Sequence, residues 1–141
     1  MWARIISVDG CGTLTLQRVD MTLRVHLSSP GLVAGVEVDM RADDVGGSEP
    51  WAELASFFRD LAKNWMDSAR QLQYGAADEA FGLSCDWDAA GHFHLHIRMR
   101  EVRHAKWSVT GTVELELGTL DEIFIQVAKL VGDGFDDVNT S

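Results

Sequence analysis

Cysteine, proline and tyrosine are scarce in this chain, which has two, two and one of them among 141 residues. Two cysteines, Cys11 and Cys85, are too few for the disulfide framework of a small secreted protein. No apolar run approaches the length of a membrane span, and the first residues lack the apolar core of a signal peptide. We therefore expect a reduced, cytoplasmic protein with no membrane partner.

Basic side chains are also few: 12 Lys and Arg stand against 22 Asp and Glu, for a net charge of −10. Proteins that bind DNA or RNA gain much of their affinity by neutralising phosphates with Lys and Arg, so we expect no nucleic-acid partner. An acidic surface instead keeps a protein soluble and attracts basic partners.

Motifs for catalysis are missing as well. Residues 9–14 contain one aspartate where phosphatases of the haloacid dehalogenase type need two, because Cys11 occupies the second position. Cys85 falls on the apolar side of an alternating segment, which indicates a buried and unreactive thiol. We predict that the protein is not an enzyme and needs no cofactor.

Apolar residues alternate with polar ones in six segments, the pattern of strands with one buried face. The segments span residues 13–17, 21–27, 36–41, 81–87, 93–99 and 107–117. Short connections between them favour meanders. Four of the five tryptophans fall on apolar stripes and are expected in the core: Trp51, Trp65, Trp87 and Trp107.

Two segments have helical spacing instead. Pro50 suits the first turn of a helix, and an apolar stripe follows from Trp51 to Trp65. A second helix is predicted to open at Thr119, with Glu122 completing a capping box, and to stop at Gly132. The sequence thus predicts an α+β domain over residues 1–132, with an antiparallel meander sheet of about six strands and two helices packed on one face. Residues 133–141 are predicted to form an acidic, flexible tail.

Three histidines, His92, His94 and His96, alternate along one predicted strand and should share its solvent-facing side. Three imidazoles on one face can hold a zinc ion, as catalytic zinc sites often use three nitrogen ligands. The alternative is a solvated face on which histidine is tolerated. A zinc-binding module or zinc-dependent enzyme is therefore the second hypothesis for function.

Basic side chains gather around one predicted loop, which suggests either an anion site or an exposed hairpin end, and we favour the hairpin end. The cluster comprises Arg98, Arg100, Arg103, His104 and Lys106. A small-molecule pocket between sheet and helix stays open as a third possibility.

Acidic side chains cluster on either side of the first predicted helix. The positions expected at the rim of a binding surface, on charge alone, are Asp43, Asp44, Glu49, Asp86 and Asp88. Solvated loops explain most acidic residues, but a negative docking face for a basic protein is the functional alternative, because charge complementarity speeds association and selects partners.

Several segments together resemble a family of uncharacterised bacterial domains related to the immunity proteins of polymorphic and cell-wall-associated toxins. The resemblance lies in residues 58–62, Trp65, residues 83–88, Gly91-His92, Trp107 and residues 117–122. The chain departs from the family at residues 66–69, where members often have a glycine-rich segment. The resemblance implies a non-catalytic protein that neutralises a toxin, and it supplies no catalytic residues.

Overall fold

The fold is known from a computed structural model that describes residues 2–40, 50–63, 65–67, 71–75, 80–101 and 107–132. The predicted tail, residues 133–141, lies outside this part of the chain. All strand pairs in the described part are antiparallel.

The first sheet is a meander of four strands in the order β1-β2-β3-β4. Its strands are β1 (Trp2–Ile6), β2 (Thr13–Val19), β3 (Thr22–Ser29) and β4 (Leu32–Asp39). In β3, buried Leu23, Val25 and Leu27 alternate with exposed residues, so the sheet has one buried face and one face in solvent.

The second sheet repeats this arrangement in the order β5-β6-β7-β8. Its strands are β5 (Gln71–Gly75), β6 (Phe81–Trp87), β7 (His92–Arg100) and β8 (Ser108–Glu116). Gly91 closes the turn between β6 and β7 at φ 86°, a left-handed conformation that glycine adopts without steric cost.

The helices are α1 (Pro50–Lys63) and α2 (Leu117–Val131), and a 3₁₀ turn (Trp65–Asp67) follows α1. The apolar stripe of α1 is buried, as predicted. The predicted start of α2 at Thr119 is wrong: the helix begins directly after β8, and the Thr119 hydroxyl donates to the Glu116 carbonyl oxygen at 2.9 Å. The end is as predicted, since Gly132 follows the last turn at φ 90°.

Both sheets and both helices contribute to one hydrophobic core. The helices pack against each other, α2 lies against β1, and α1 lies against β5. The two sheets approach where Gly111 of β8 faces Leu27 of β3: a Cβ on Gly111 would lie only 2.7 Å from Leu27 Cδ2. A larger residue there would clash with a core side chain.

The predicted α+β class with antiparallel strands is confirmed, but the single sheet of about six strands is wrong. In the part of the chain that the structure describes, eight strands form two four-stranded sheets. The two unpredicted strands, β1 and β5, are edge strands of five residues each, too short for a clear alternation. The predicted burial of Trp107 is also wrong, since 38% of this residue is exposed just before β8 begins.

The described residues form two α-helices, α1 and α2, and neither is long and apolar enough to cross a membrane.

Candidate functional site on the outer face of the second sheet

The solvent side of the second sheet, called the outer face below, collects most of the chemistry-bearing side chains that the sequence pointed to. Strand register places them in three rows across the sheet. The rows are Gln71-Asp86-His94-Glu114, Gln73-Ser84-His96-Thr112 and Gly75-Gly82-Arg98-Thr110. Side chains opposite each other on neighbouring strands are close enough to interact.

At the centre of this face, Asp86 lies between two imidazoles. His94 Nδ1 is 3.2 Å from Asp86 Oδ1, and His96 Nε2 is 2.8 Å from Asp86 Oδ2. With a proton on each of these nitrogens, both imidazoles donate to the carboxylate. The hydrogen bond from His96, followed by that from His94, holds the pKa of Asp86 below its ordinary value of 3.8, although partial desolvation opposes the shift. Asp86 therefore stays ionised and orients both rings.

Asp88 organises the turn between β6 and β7. The backbone N–H groups of Ala90 and His92 donate to Asp88 Oδ1 at 2.9 and 3.1 Å. Asp88 Oδ2 also lies 3.1 Å from His92 Nδ1. These bonds, led by the His92 backbone N–H, lower the pKa of Asp88. The carboxylate is thus part of the hairpin structure as well as a surface charge.

All three histidines point away from the core, as the alternation predicts. However, both ring nitrogens of His96 are engaged, because Nδ1 accepts from the Thr112 hydroxyl at 3.1 Å while Nε2 contacts Asp86. Within the described ranges, no group of three or more His, Cys, Asp or Glu converges to hold a metal ion. A zinc site at His92, His94 and His96 requires His96 to release one of these bonds, and it stays a prediction.

Three carboxylates surround a recess of about 340 Å³ at the turn end of the outer face, which we call the acidic recess. Its lining residues are Val8, Asp88, His92, Phe93, His94, Glu114, Leu115 and Glu116. The β1–β2 loop closes one side, because the Val8 N–H donates to the Glu114 carbonyl oxygen at 2.8 Å. A recess of this charge suits a cationic side chain of a partner.

At the opposite end of the outer face lies a second, larger depression of about 570 Å³. Its described lining combines hydrogen-bonding side chains with Leu83 and Ile97, and it includes the cation Arg98. A smaller recess of about 400 Å³ opens between α1 and β5, where the sequence analysis allowed a pocket between sheet and helix.

The thiol of Cys85 is on the buried face, and burial raises its pKa to about 12, which agrees with the unreactive thiol expected.

A family model matches residues 13–133 of the chain, and its description is "Family of unknown function (DUF6228)". The chain belongs to this family. Membership agrees with the resemblance to an uncharacterised domain family, while the link to immunity proteins stays a prediction. None of the curated proteins matches the chain.

Among solved structures, this family member is similar to the MRP1/MRP2 crystal structures of Trypanosoma bruciei. The TM-score is 0.52 with 10% sequence identity, over 100% of this chain and 85% of the other. At this identity the likeness shows a shared fold.

Of the predicted rim residues, Asp43, Asp44 and Glu49 lie outside the described residues. Asp86 and Asp88 are both on the β6–β7 hairpin, as the sequence placed them. Sequence reasoning missed the contact of Asp86 with His94 and His96, and it missed Glu114 and Glu116. Counting the register outward from a three-residue loop at residues 89–91 pairs Asp86 with His94 and would have found the first contact.

Acid should weaken the contribution of Asp86 to stability. Since folding lowers its pKa, this contribution is fully present above the unfolded pKa and is lost as pH falls through the lowered folded pKa. We expect Asp86→Asn to lose less stability than the wild-type protein between about pH 4 and pH 2. The side chain is 51% exposed, so solvent screening keeps the difference to less than about 1 kcal/mol.

Chemical denaturation at a series of pH values measures this difference. The matched control is Asp121→Asn, whose carboxylate lies in an exposed contact with Lys63 Nζ at 3.9 Å. Parallel pH curves for wild type and Asp86→Asn would contradict the assigned role of the two imidazoles.

Proposed function

We propose that the protein is a non-catalytic binding domain whose acidic recess receives a cationic side chain of a basic protein partner. In its specific form, the proposal is that the partner is a bacterial toxin and that this chain is its immunity protein. The observation that carries the binding proposal is the acidic recess, where Asp88, Glu114 and Glu116 surround one concave surface.

Local charge supports a basic partner. Three carboxylates around a recess lower the electrostatic potential more than the same charges spread over a convex surface. The Glu114 and Glu116 side chains are exposed, so a partner can reach them without rearrangement of the strand. The lowered pKa of Asp88 keeps that carboxylate charged throughout the neutral range.

The recess also has an apolar wall, since the exposed residue Val8 is among its lining residues. A Lys or Arg side chain can place its methylene groups against such a wall while its charged end contacts the carboxylates. Arg adds the option of paired hydrogen bonds to one carboxylate. The overall charge of −10 then increases the rate of encounter with a basic partner.

The immunity form draws on the family resemblance and on this charge. A nuclease toxin carries a basic substrate-binding surface, and an acidic inhibitor complements it. For this form, binding must also abolish the toxic activity of the partner.

The test begins with the tagged protein as bait in lysate of its host and with the product of the adjacent gene as a purified candidate. For the partner found, calorimetry compares wild type with Glu114→Gln/Glu116→Gln. We expect about a tenfold loss of affinity, because two charges that face the recess are removed. We also expect the wild-type affinity to fall as salt is raised.

The matched control is Asp121→Asn/Glu122→Gln, which changes the net charge equally but lies on α2. Equal losses of affinity for the two double variants would show that the effect comes from net charge, and they would contradict the recess as the docking site. A partner that binds tightly but keeps its toxicity would support a binding domain and contradict the immunity form.

A further inference from the structure

We infer that the depression at the Arg98 end of the outer face is a binding site for a small molecule carrying a carboxylate or phosphate group. This site is separate from the acidic recess, and it requires no protein partner. We call it the Arg98 depression; it is lined by Gln73, Tyr74, Gly75, Gly82, Leu83, Ser84, His96, Ile97, Arg98, Thr110, Gly111 and Thr112.

The composition of these walls is unusual for this chain. The protein has 22 acidic side chains, yet none of the described residues that line the depression is acidic. The outward side chains of β5, β6 and β8 instead supply neutral hydrogen-bonding groups, from Gln73, Ser84, Thr110 and Thr112. An anion entering the depression therefore meets these donors, and no carboxylate of the described lining residues faces it.

Arg98 is the cation among the described residues that line the depression, and its guanidinium lies over a glycine. Nη2 is 3.0 Å from the point where a Cβ on Gly82 would sit, so the absence of a side chain there lets the guanidinium rest against the sheet. Within the described part of the chain, Arg98 forms no ion pair with a carboxylate. Its donors remain available to a ligand, and their planar arrangement matches two oxygens of a carboxylate or phosphate.

Free space lies beside this guanidinium. Gly75 pairs with Gly82 in the register of β5 and β6, and a Cβ on Gly75 would meet none of the described residues within 4 Å. The Arg98 guanidinium covers Gly82, so the room lies at Gly75, where an ordinary side chain would fill it. The volume of about 570 Å³ lies in the range of small-molecule sites.

His96 separates the depression from the acidic centre of the face. Its imidazole contacts Asp86 at 2.8 Å on one side, and its Nδ1 accepts from Thr112 at 3.1 Å on the other. Asp86 is thus occupied by two imidazoles and lies beyond the ring. The negative charge of Asp86 is thereby directed to the two imidazoles and not to Arg98, which favours binding of an anion there.

Nuclear magnetic resonance titrations with inorganic phosphate and with acetate, at constant ionic strength set by chloride, test this site. We expect saturable shifts confined to residues 73–75, 82–84, 96–98 and 110–112, with at least one of the two anions. Arg98→Gln should weaken binding about tenfold or more, because charged hydrogen bonds are lost. Gly75→Val, which fills the free space but retains Arg98, should weaken it as well.

Arg24→Gln is the control, since Arg24 lies on the first sheet in an exposed ion pair with Glu37 and should leave anion binding unchanged. Saturation by phosphate alone or by acetate alone would support the site and define its ligand class. Shifts that do not saturate, or binding that Arg98→Gln and Gly75→Val leave unchanged in folded protein, would overturn it. No protein partner is present in these titrations, so their failure would leave the acidic recess proposal unaffected.

Discussion

Replacing Phe93 with alanine is expected to lower the free energy of unfolding by about 3–5 kcal/mol, the range for a large core aromatic residue. Phe93 is fully buried. Its ring centroid lies 5.5 Å from those of Trp65 and Trp87. The substitution would remove both aromatic contacts and leave a cavity between β6, β7 and the 3₁₀ turn. Urea denaturation followed by tryptophan fluorescence measures the loss, because two tryptophans flank the ring.

Two further variants serve as references for the size of this loss of stability. Phe93→Leu keeps most of the buried volume and should cost clearly less than alanine. Val33→Ala, at a position that is 69% exposed, should change stability by less than about 0.5 kcal/mol. A loss of only this size for Phe93→Ala would contradict the position of Phe93 in the core.

Replacing Arg18 with alanine is expected to lower the free energy of unfolding by about 2–3 kcal/mol, which is large for a residue that is not fully buried. The Arg18 guanidinium lies 4.4 Å from the centre of the Trp51 ring. Its Nη1 donates to the carbonyl oxygens of Leu130, at 3.3 Å, and Val131. One side chain of β2 therefore holds the start of α1 and the end of α2, where a cation also favours the helix dipole.

Arg24→Ala is the matched control on the neighbouring strand. Its ion pair with Glu37 has a length of 2.9 Å, but both side chains are more than half exposed. Exposed pairs contribute about 1 kcal/mol or less. Arg18→Lys should recover only part of the loss, because an ammonium cannot both cover the indole and donate as a planar group. Equal thermal shifts for Arg18→Ala and Arg24→Ala would contradict the role of Arg18.

Local sequence patterns predicted the long elements because each of them has one buried face. The alternation in residues 93–99 places Phe93 in the core and His94 in solvent, and the structure has both there. The apolar stripe from Trp51 onward likewise marked α1. Patterns of this kind depend only on the geometry of a strand or helix, so they can be read without knowledge of the neighbours.

The two short edge strands β1 and β5 could not be predicted in this way. In β5, only Leu72 and Tyr74 are apolar. Each of them follows a glutamine, and Gly75 ends the strand. Such a segment becomes a strand because β6 offers it a row of hydrogen-bonding partners, which is a tertiary effect. The division of the eight described strands into two sheets is also a tertiary effect, because the apolar–polar alternation along a strand is the same whether the strands form one sheet or two.

The sequence by itself determined the α+β class, the outward position of His92, His94 and His96, and the acidic charge. The tertiary structure alone decided that Asp86 contacts two of these imidazoles, that Arg18 joins two helices, and that the Arg98 guanidinium lies over Gly82 beside the space at Gly75. The physical reason is distance: periodicity fixes which face a side chain takes, whereas contacts between strands and helices depend on register and packing. Register and packing are set by the whole chain at once.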